Sequence, residues 1–238
     1  MILYVNGDSH AAGAEINNSY CFAADGPTIH NDKSPHTDNI KLSFGYLLAE
    51  KLGHEFVTDA ISGASNDRIL RTTKEYLAKN NHNVFVLIGW STTDRKEFLI
   101  DGEYHCFSPG YYTNNLKLKH HFKKYILSLD HNTAMKQNYF WHEKIYNFHL
   151  ELNQNNIPHL FFNTFSVFNS EDHPSYQKIF YNWSQKMIGP YKDNETYYGW
   201  LKNNGYNTVH KKSYHFGADA HKRWADRLYN WLTQHQLL

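Results

Sequence analysis

Four short apolar runs divide the chain, and each is typical of a buried β-strand. They span residues 2–5, 55–61, 84–90 and 159–164. β-branched and aromatic side chains predominate in them, and small or polar residues follow each run, as in the strands of a parallel sheet. The pattern therefore predicts four buried strands.

Between these runs, apolar residues recur every three or four positions, which is the spacing of amphipathic helices. Such stripes occupy residues 42–52, 69–77, 141–152 and 224–232. Gly53 predicts the end of the first helix, and Asn66 is placed to cap the second. Because strands alternate with helices, we predict a three-layer α/β/α sandwich around a central parallel sheet.

Two stretches fit this alternation poorly, near residues 94–119 and 166–198. Both are rich in Tyr, Asn, Gly and Pro and are longer than ordinary connections. We expect them to be long loop insertions over a cleft. Since no linker or internal repeat is visible, the chain is predicted to form a single domain over residues 1–238.

Composition narrows the classes of partner. The 24 basic and 23 acidic side chains leave a formal charge of +1, which gives no electrostatic basis for binding nucleic acid or an anionic membrane. No run approaches the ~20 apolar residues of a membrane span. Met1 leads into only four apolar residues, too few for a secretory signal, so we expect a cytoplasmic protein.

The sequence predicts neither a metal nor a cofactor. Cys21 and Cys106 lack the spacing of a zinc site. His142-Glu143 begins like a zincin helix, but Tyr146 stands where the second histidine is required. Glycine-rich phosphate loops are also missing. Aromatic residues make up 16% of the chain, a surplus that suits a cleft for a small-molecule or glycan ligand, or equally a homo-oligomer interface.

Ser9 stands where a nucleophile is expected in an open α/β sheet. The first strand ends in Asn6-Gly7-Asp8-Ser9, and ligands of such sheets lie outside the carboxyl ends of the strands. A helix beginning directly after Ser9 would aim its N–H groups at a developing oxyanion. The alternative is an ordinary strand-to-helix turn with an N-capping serine.

A second group of candidates lies near the C-terminus, where His215 precedes the final predicted helix and His221 lies within it. Together with Gly7-Asp8-Ser9, this segment resembles the SGNH/GDSL hydrolase family. The resemblance runs over residues 7–225, and its other matching positions are Gly63, Gly89-Trp90-Ser91-Thr92 and Ala225. The chain is also similar to SGNH-like proteins of tailed phages, which would place it in a virion or a host cytoplasm.

The resemblance implies a flavodoxin-like SGNH hydrolase fold and a role for each matching residue. Ser9 would attack an ester carbonyl, and His215 would act as general base and then general acid. The N–H groups of Ser9 and Gly63 would bind the oxyanion, together with a side chain from Ser91 or Asn66.

The sequence departs from the family pattern at two positions. Ser91 aligns with the oxyanion asparagine of the family, and Asn66 is the nearest substitute. Lys212 aligns with the aspartate that orients the catalytic histidine. A backbone carbonyl, Asp94 or Glu97 are the candidates for orienting His215 instead.

Two hypotheses follow from these residues. The first is a serine esterase of SGNH type that removes a small acyl group, such as an O-acetyl group on a carbohydrate, through an acyl-Ser9 intermediate. The second is a non-catalytic SGNH-fold binding module or virion-associated structural protein, motivated by Ser91 and Lys212.

Overall fold

The computed structural model describes residues 1–17, 36–80, 82–108, 113–169 and 177–238. Within them the strands are β1 (Ile2–Asn6), β2 (Glu55–Thr58), β3 (Val84–Trp90), β4 (Lys96–Ile100), β5 (Glu103–Phe107), β6 (His159–Asn163) and β7 (Met187–Ile188). The α-helices are α1 (Thr37–Ile40), α2 (Phe44–Leu52), α3 (Asn66–Leu77), α4 (Leu116–Leu127), α5 (His131–Gln154), α6 (Tyr197–Asn203) and α7 (Ala218–Gln234).

Five strands form one parallel sheet in the order β2-β1-β3-β6-β7. Counted along this sheet alone, the order is 2-1-3-4-5, which is the flavodoxin-like arrangement. Helices cover both faces of the sheet. The predicted three-layer α/β/α fold is therefore confirmed.

The strands divide their side chains between two cores because successive residues of a strand point to opposite faces. Leu3 and Val5 of β1 pack with α2 and α7, whereas Tyr4 faces the core that contains α3 and α5. All seven residues of β3 are buried. The sheet is therefore covered on both faces. A ligand can reach it at the carboxyl ends of the strands, where open α/β sheets bind their ligands.

Helix ends follow the sequence signals closely, with one shift. Gly53 ends α2 in the left-handed conformation at φ 65°, as predicted. The N-cap of α3 is Ser65, whose Oγ accepts from the Arg68 N–H at 3.3 Å. The prediction of Asn66 as the cap was wrong by one residue, because the Asn66 side chain is engaged elsewhere.

The two predicted loop insertions contain regular structure. The antiparallel hairpin β4–β5 and the start of α4 fall within residues 94–119, and β7, the fifth strand of the main sheet, falls within 166–198. Residues 109–112 and 170–176 lie outside the described residues, as does Cys21. Cys106 is buried and free. Within the part of the chain described, no helix combines the length and apolar character that a membrane span requires.

Candidate active site

The turn after β1 is held in place by buried side chains. Asn6 is fully buried; its Oδ1 accepts from the Gly7 N–H at 2.8 Å, and its Nδ2 donates to the Ile69 carbonyl of α3 at 3.1 Å. Gly7 leaves no room for a side chain, since a Cβ there would lie 2.7 Å from the Ala11 Cβ and 2.9 Å from the Gly89 carbonyl oxygen. The backbone that delivers Ser9 is therefore tightly constrained.

Asp8 links this turn to the segment after β3. Its carboxylate is fully buried and accepts from the His10 N–H at 3.1 Å and the Ser91 hydroxyl at 3.0 Å. Arg95 forms an ion pair with it at 3.2 Å. The buried carboxylate is therefore matched by an opposite charge and by two hydrogen bonds.

Ser9 is followed by turns and not by the helix that the sequence predicted. The Ala12 N–H donates to the Asp8 carbonyl and the Ala14 N–H to the Ser9 carbonyl, both at 2.9 Å, but no regular helix forms. Glu15 closes this stretch with a positive φ of 58°. The tight return of the chain brings Glu15 back beside the carboxyl edge of the sheet.

Ser9, His215 and Glu15 form a continuous hydrogen-bonded chain. The Ser9 Oγ lies 2.8 Å from His215 Nε2, and His215 Nδ1 lies 2.5 Å from Glu15 Oε2. An ionised carboxylate only accepts hydrogen bonds, so the proton of a neutral His215 lies on Nδ1, and Nε2 is free to accept from the serine hydroxyl. This arrangement can deprotonate Ser9.

Glu15 is well suited to remain charged. The hydrogen bond from His215 lowers the pKa of Glu15 to about 2, with a further contribution from the Ser213 hydroxyl at 2.6 Å, although partial burial opposes the shift. The Ser213 Oγ also accepts from the His215 N–H at 2.9 Å. The loop that carries His215 is thus fastened to the same carboxylate.

Neither acid predicted to orient His215 does so. Glu97 on β4 forms a two-pronged ion pair with Arg71 of α3, at 2.7 and 2.8 Å. The carbonyl of Asp94 accepts from the Tyr125 hydroxyl, and its Oδ1 is buried without a hydrogen-bond partner among the described residues. Strand β4 of the β4–β5 hairpin contacts α3, which places Glu97 beside Arg71. Lys212 is exposed and does not contact His215 through any described hydrogen bond.

The side chains predicted to help bind an oxyanion are committed elsewhere. Asn66 Oδ1 accepts from the Ser91 N–H at 2.8 Å, and Asn66 Nδ2 donates to the Ser91 carbonyl at 3.1 Å. The Ser91 hydroxyl is held by Asp8. By contrast, the N–H groups of Ser9 and Gly63 have no acceptor within the described residues, and Gly63 has the left-handed φ of 68° that favours glycine.

The sequence contains one signal that would have found Glu15. It is the single acidic residue in a run of small and apolar residues whose other members, Ala11, Ala12, Ala14 and Ile16, are buried. A charge inside such a run requires a partner. The histidine that supplies it is 200 positions away, which no local pattern indicates.

His221, the second histidine of the C-terminal segment, is a core residue. It is fully buried, its Nδ1 accepts from the Phe44 N–H at the start of α2 at 3.2 Å, and its Nε2 therefore donates to the Tyr197 hydroxyl at 3.1 Å. Burial lowers the pKa of His221 to about 3, so the ring is neutral.

We expect His221→Ala to destabilise the fold by about 2–4 kcal/mol, because it removes two buried hydrogen bonds and leaves a cavity beneath α2. Denaturant unfolding measures the loss, and His120→Ala, on the exposed face of α4, should change stability by less than about 0.5 kcal/mol. A His221→Ala protein as stable as the wild type would contradict the structural role.

The histidines of the long helix α5 are also structural. His142 Nε2 pairs with the Tyr191 hydroxyl at 3.1 Å, and His149 Nδ1 with His159 Nε2 at 2.8 Å. Across the described residues, no group of three or more His, Cys, Asp or Glu side chains is arranged to hold a metal ion.

Comparison with known proteins adds a family. A family model described as a family of unknown function, DUF6071, matches residues 29–167. The chain belongs to that family. The DUF6071 segment covers β2, β3 and β6 but contains none of Ser9, Glu15 and His215.

The remaining comparisons concern single proteins. No curated protein matches the chain. Among the solved structures that match is the psychrotrophic esterase EstA from Pseudoalteromonas sp., inhibited by monoethylphosphonate. It is 10% identical over 98% of this chain and 97% of the esterase chain, with a TM-score of 0.49.

Proposed function

We propose that this protein is a serine esterase that hydrolyses a small acyl ester through an acyl-Ser9 intermediate. The observation that carries the proposal is the chain from Ser9 Oγ through His215 to Glu15, with distances of 2.8 and 2.5 Å. A nucleophile, a base and a group that orients the base are the three parts that nucleophilic acyl transfer needs.

In the first half of the reaction, Ser9 Oγ attacks the ester carbonyl carbon while its proton moves to His215 Nε2. The tetrahedral intermediate then collapses, the bond to the leaving alcohol breaks, and His215 Nε2 donates the proton to the alcohol oxygen. In the second half, His215 takes a proton from water as that water attacks the acyl-serine. The second tetrahedral intermediate collapses, the bond between the acyl carbon and Ser9 Oγ breaks, and His215 Nε2 returns the proton to Ser9 Oγ. The products are a carboxylic acid and a regenerated Ser9 hydroxyl.

The negative charge of the intermediate is stabilised by backbone donors in this proposal. The N–H groups of Ser9 and Gly63 are the candidates, because neither has an acceptor within the described residues. One such donor contributes about 2.7–4 kcal/mol to the transition state in a comparable hydrolase. Ser91 and Asn66 would act by fixing the loops and not by touching the substrate.

The proposal extends to the hydrolase family and to the substrate. The order of Ser9 before a histidine that precedes the last helix agrees with the resemblance to SGNH hydrolases. Lys212 stands where the family has the aspartate that orients the histidine. In this proposal Glu15, six residues after Ser9, takes the role of that aspartate. We propose an O-acetyl group on a carbohydrate as the substrate.

A fluorophosphonate probe tests the proposal directly, because it forms a covalent bond only with an activated serine. We expect intact-mass measurement to show one adduct on the wild type and on Ser166→Ala, an exposed serine after β6, and none on Ser9→Ala. A folded wild type that is neither labelled nor active on acetyl esters would refute the esterase and favour a binding or structural protein.

A further inference from the structure

A surface of three aromatic rings lies beside the candidate active site. It consists of Phe165, which follows β6, Tyr198 of α6 and Tyr214, the residue before His215. The Phe165 ring packs 5.3 Å from Tyr198 and stands edge-on, at 87°, 6.3 Å from Tyr214. We call this surface the aromatic wall.

The aromatic wall is continuous with the reacting groups. Phe165 also contacts the ring of His10, edge-on at 4.8 Å, and His10 both follows Ser9 and lies 4.8 Å from the ring of His215. At the other end, Tyr214 is 67% exposed. The wall therefore runs from the buried side of His215 out into solvent.

Its position assigns it to one half of the substrate. His215 Nε2 must return its proton to the leaving oxygen, so the alcohol part of an ester lies against His215. The carbonyl oxygen instead points to the N–H groups of Ser9 and Gly63. A surface that flanks His215 is consequently in reach of the alcohol and not of the oxyanion.

The chemistry of the wall favours a particular kind of alcohol. Its rings offer flat, polarisable faces, and the hydroxyl groups of Tyr198 and Tyr214 have no hydrogen-bond partner within the described residues. A pyranose matches both properties, with C–H groups on its faces and hydroxyl groups on its rim. An alkyl chain would offer the two hydroxyl groups no hydrogen-bond partner.

We propose that the aromatic wall binds the alcohol half of the substrate, a pyranose ring that stacks on the face of Tyr214 and contacts Phe165 with its edge. This inference rests on the proposed esterase and makes Tyr214 its specificity-determining residue. It adds no chemical step, because the wall only holds the leaving group at His215 Nε2.

Two acetate esters of similar leaving-group acidity isolate this effect: methyl 6-O-acetyl-glucopyranoside and 2-methoxyethyl acetate. We expect Tyr214→Ala to lower kcat/KM for the pyranosyl ester by about five- to tenfold, mainly through KM, because the variant removes the ring face on which the pyranose stacks. The same variant should change kcat/KM for 2-methoxyethyl acetate by less than about twofold.

Two further variants control the experiment. Tyr214→Phe keeps the ring and should retain most of the preference for the pyranosyl ester. Tyr229→Ala removes a partly exposed tyrosine of α7 and should leave the preference unchanged. Thermal melting of each variant confirms that the proteins compared are folded.

The outcomes separate the inference from the proposed function. Equal losses on both esters, or no loss with Tyr214→Ala, would overturn the aromatic wall as a pyranose site while a fluorophosphonate adduct on Ser9 still supported the esterase. If neither ester is cleaved and Ser9 is not labelled, the esterase fails and the inference fails with it.

Discussion

Glu15→Gln is expected to lower kcat for acetyl-ester hydrolysis by about four orders of magnitude. The carboxylate holds the proton of His215 on Nδ1 and stabilises the imidazolium that forms when Ser9 attacks. A neutral amide can present its NH2 group instead and favour the wrong tautomer. The corresponding change from aspartate to asparagine in a serine protease costs about 10⁴ in turnover.

Glu97→Gln is the matched control for this prediction. Glu97 was a candidate from the sequence, whereas Glu15 was not; its side chain is 5% exposed against 13% for Glu15, and it is also paired, but with Arg71. We expect Glu97→Gln to reduce stability while kcat stays within about threefold of the wild type. Loss of kcat in Glu97→Gln and retention in Glu15→Gln would show that the acid had been assigned wrongly.

The second large effect is a loss of stability in mild acid. Five histidines are buried in the described residues: His10, His142, His149, His159 and His221. Burial lowers the pKa of His142 and His149 to about 4 and that of His159 and His221 to about 3, and it holds the pKa of His10 well below its usual value.

The sign of the effect follows from proton linkage. An unfolded histidine has a pKa of about 6.5, so between that pH and the folded pKa the unfolded state binds more protons. Stability is therefore fully present above pH ~6.5 and falls as the pH drops towards 4. We expect the free energy of unfolding, measured with urea, to be flat from pH 8 to 7 and to fall by more than about 5 kcal/mol between pH 6.5 and 4.5, because each buried histidine alone contributes roughly 2 kcal/mol over this range.

His142→Phe isolates one contribution. The His142 ring stacks on Phe168 at 4.5 Å, so phenylalanine can replace it at the expense of one hydrogen bond to Tyr191. This variant should lose about one proton from the slope of stability against pH, whereas His120→Ala should leave the slope unchanged. A wild-type stability that does not vary from pH 7 to 4.5 would rule out the neutral buried state of these rings.

The sequence was sufficient for four of the five strands of the main sheet and for two residues of the candidate site, Ser9 and His215. The continuous apolar runs of β1 and β3 report burial directly, and the position of Ser9 follows from where β1 ends. His215 was singled out because its segment, with His221 and Ala225 at the family's spacing, resembles the last sequence block of SGNH/GDSL hydrolases. Each of these predictions depends on residues that are neighbours along the chain.

The parts that were missed depend on contacts between distant residues. Glu15 lies in a non-periodic turn and is defined by a histidine 200 positions away. β7 has two residues, too few for any periodicity, and forms only because β6 offers it an edge. Ser91 was assigned to the oxyanion because its buried partner, Asp8, could not be recognised from spacing.

The pairing of Glu15 with His215 has a consequence for biosynthesis. Ser9 and Glu15 are synthesised some two hundred residues before His215. Until the segment that carries His215 has emerged and docked on Glu15, a nascent chain holds Ser9 without its histidine partner. If Ser9 is the nucleophile that we propose, a chain truncated before His215 should not react with a fluorophosphonate.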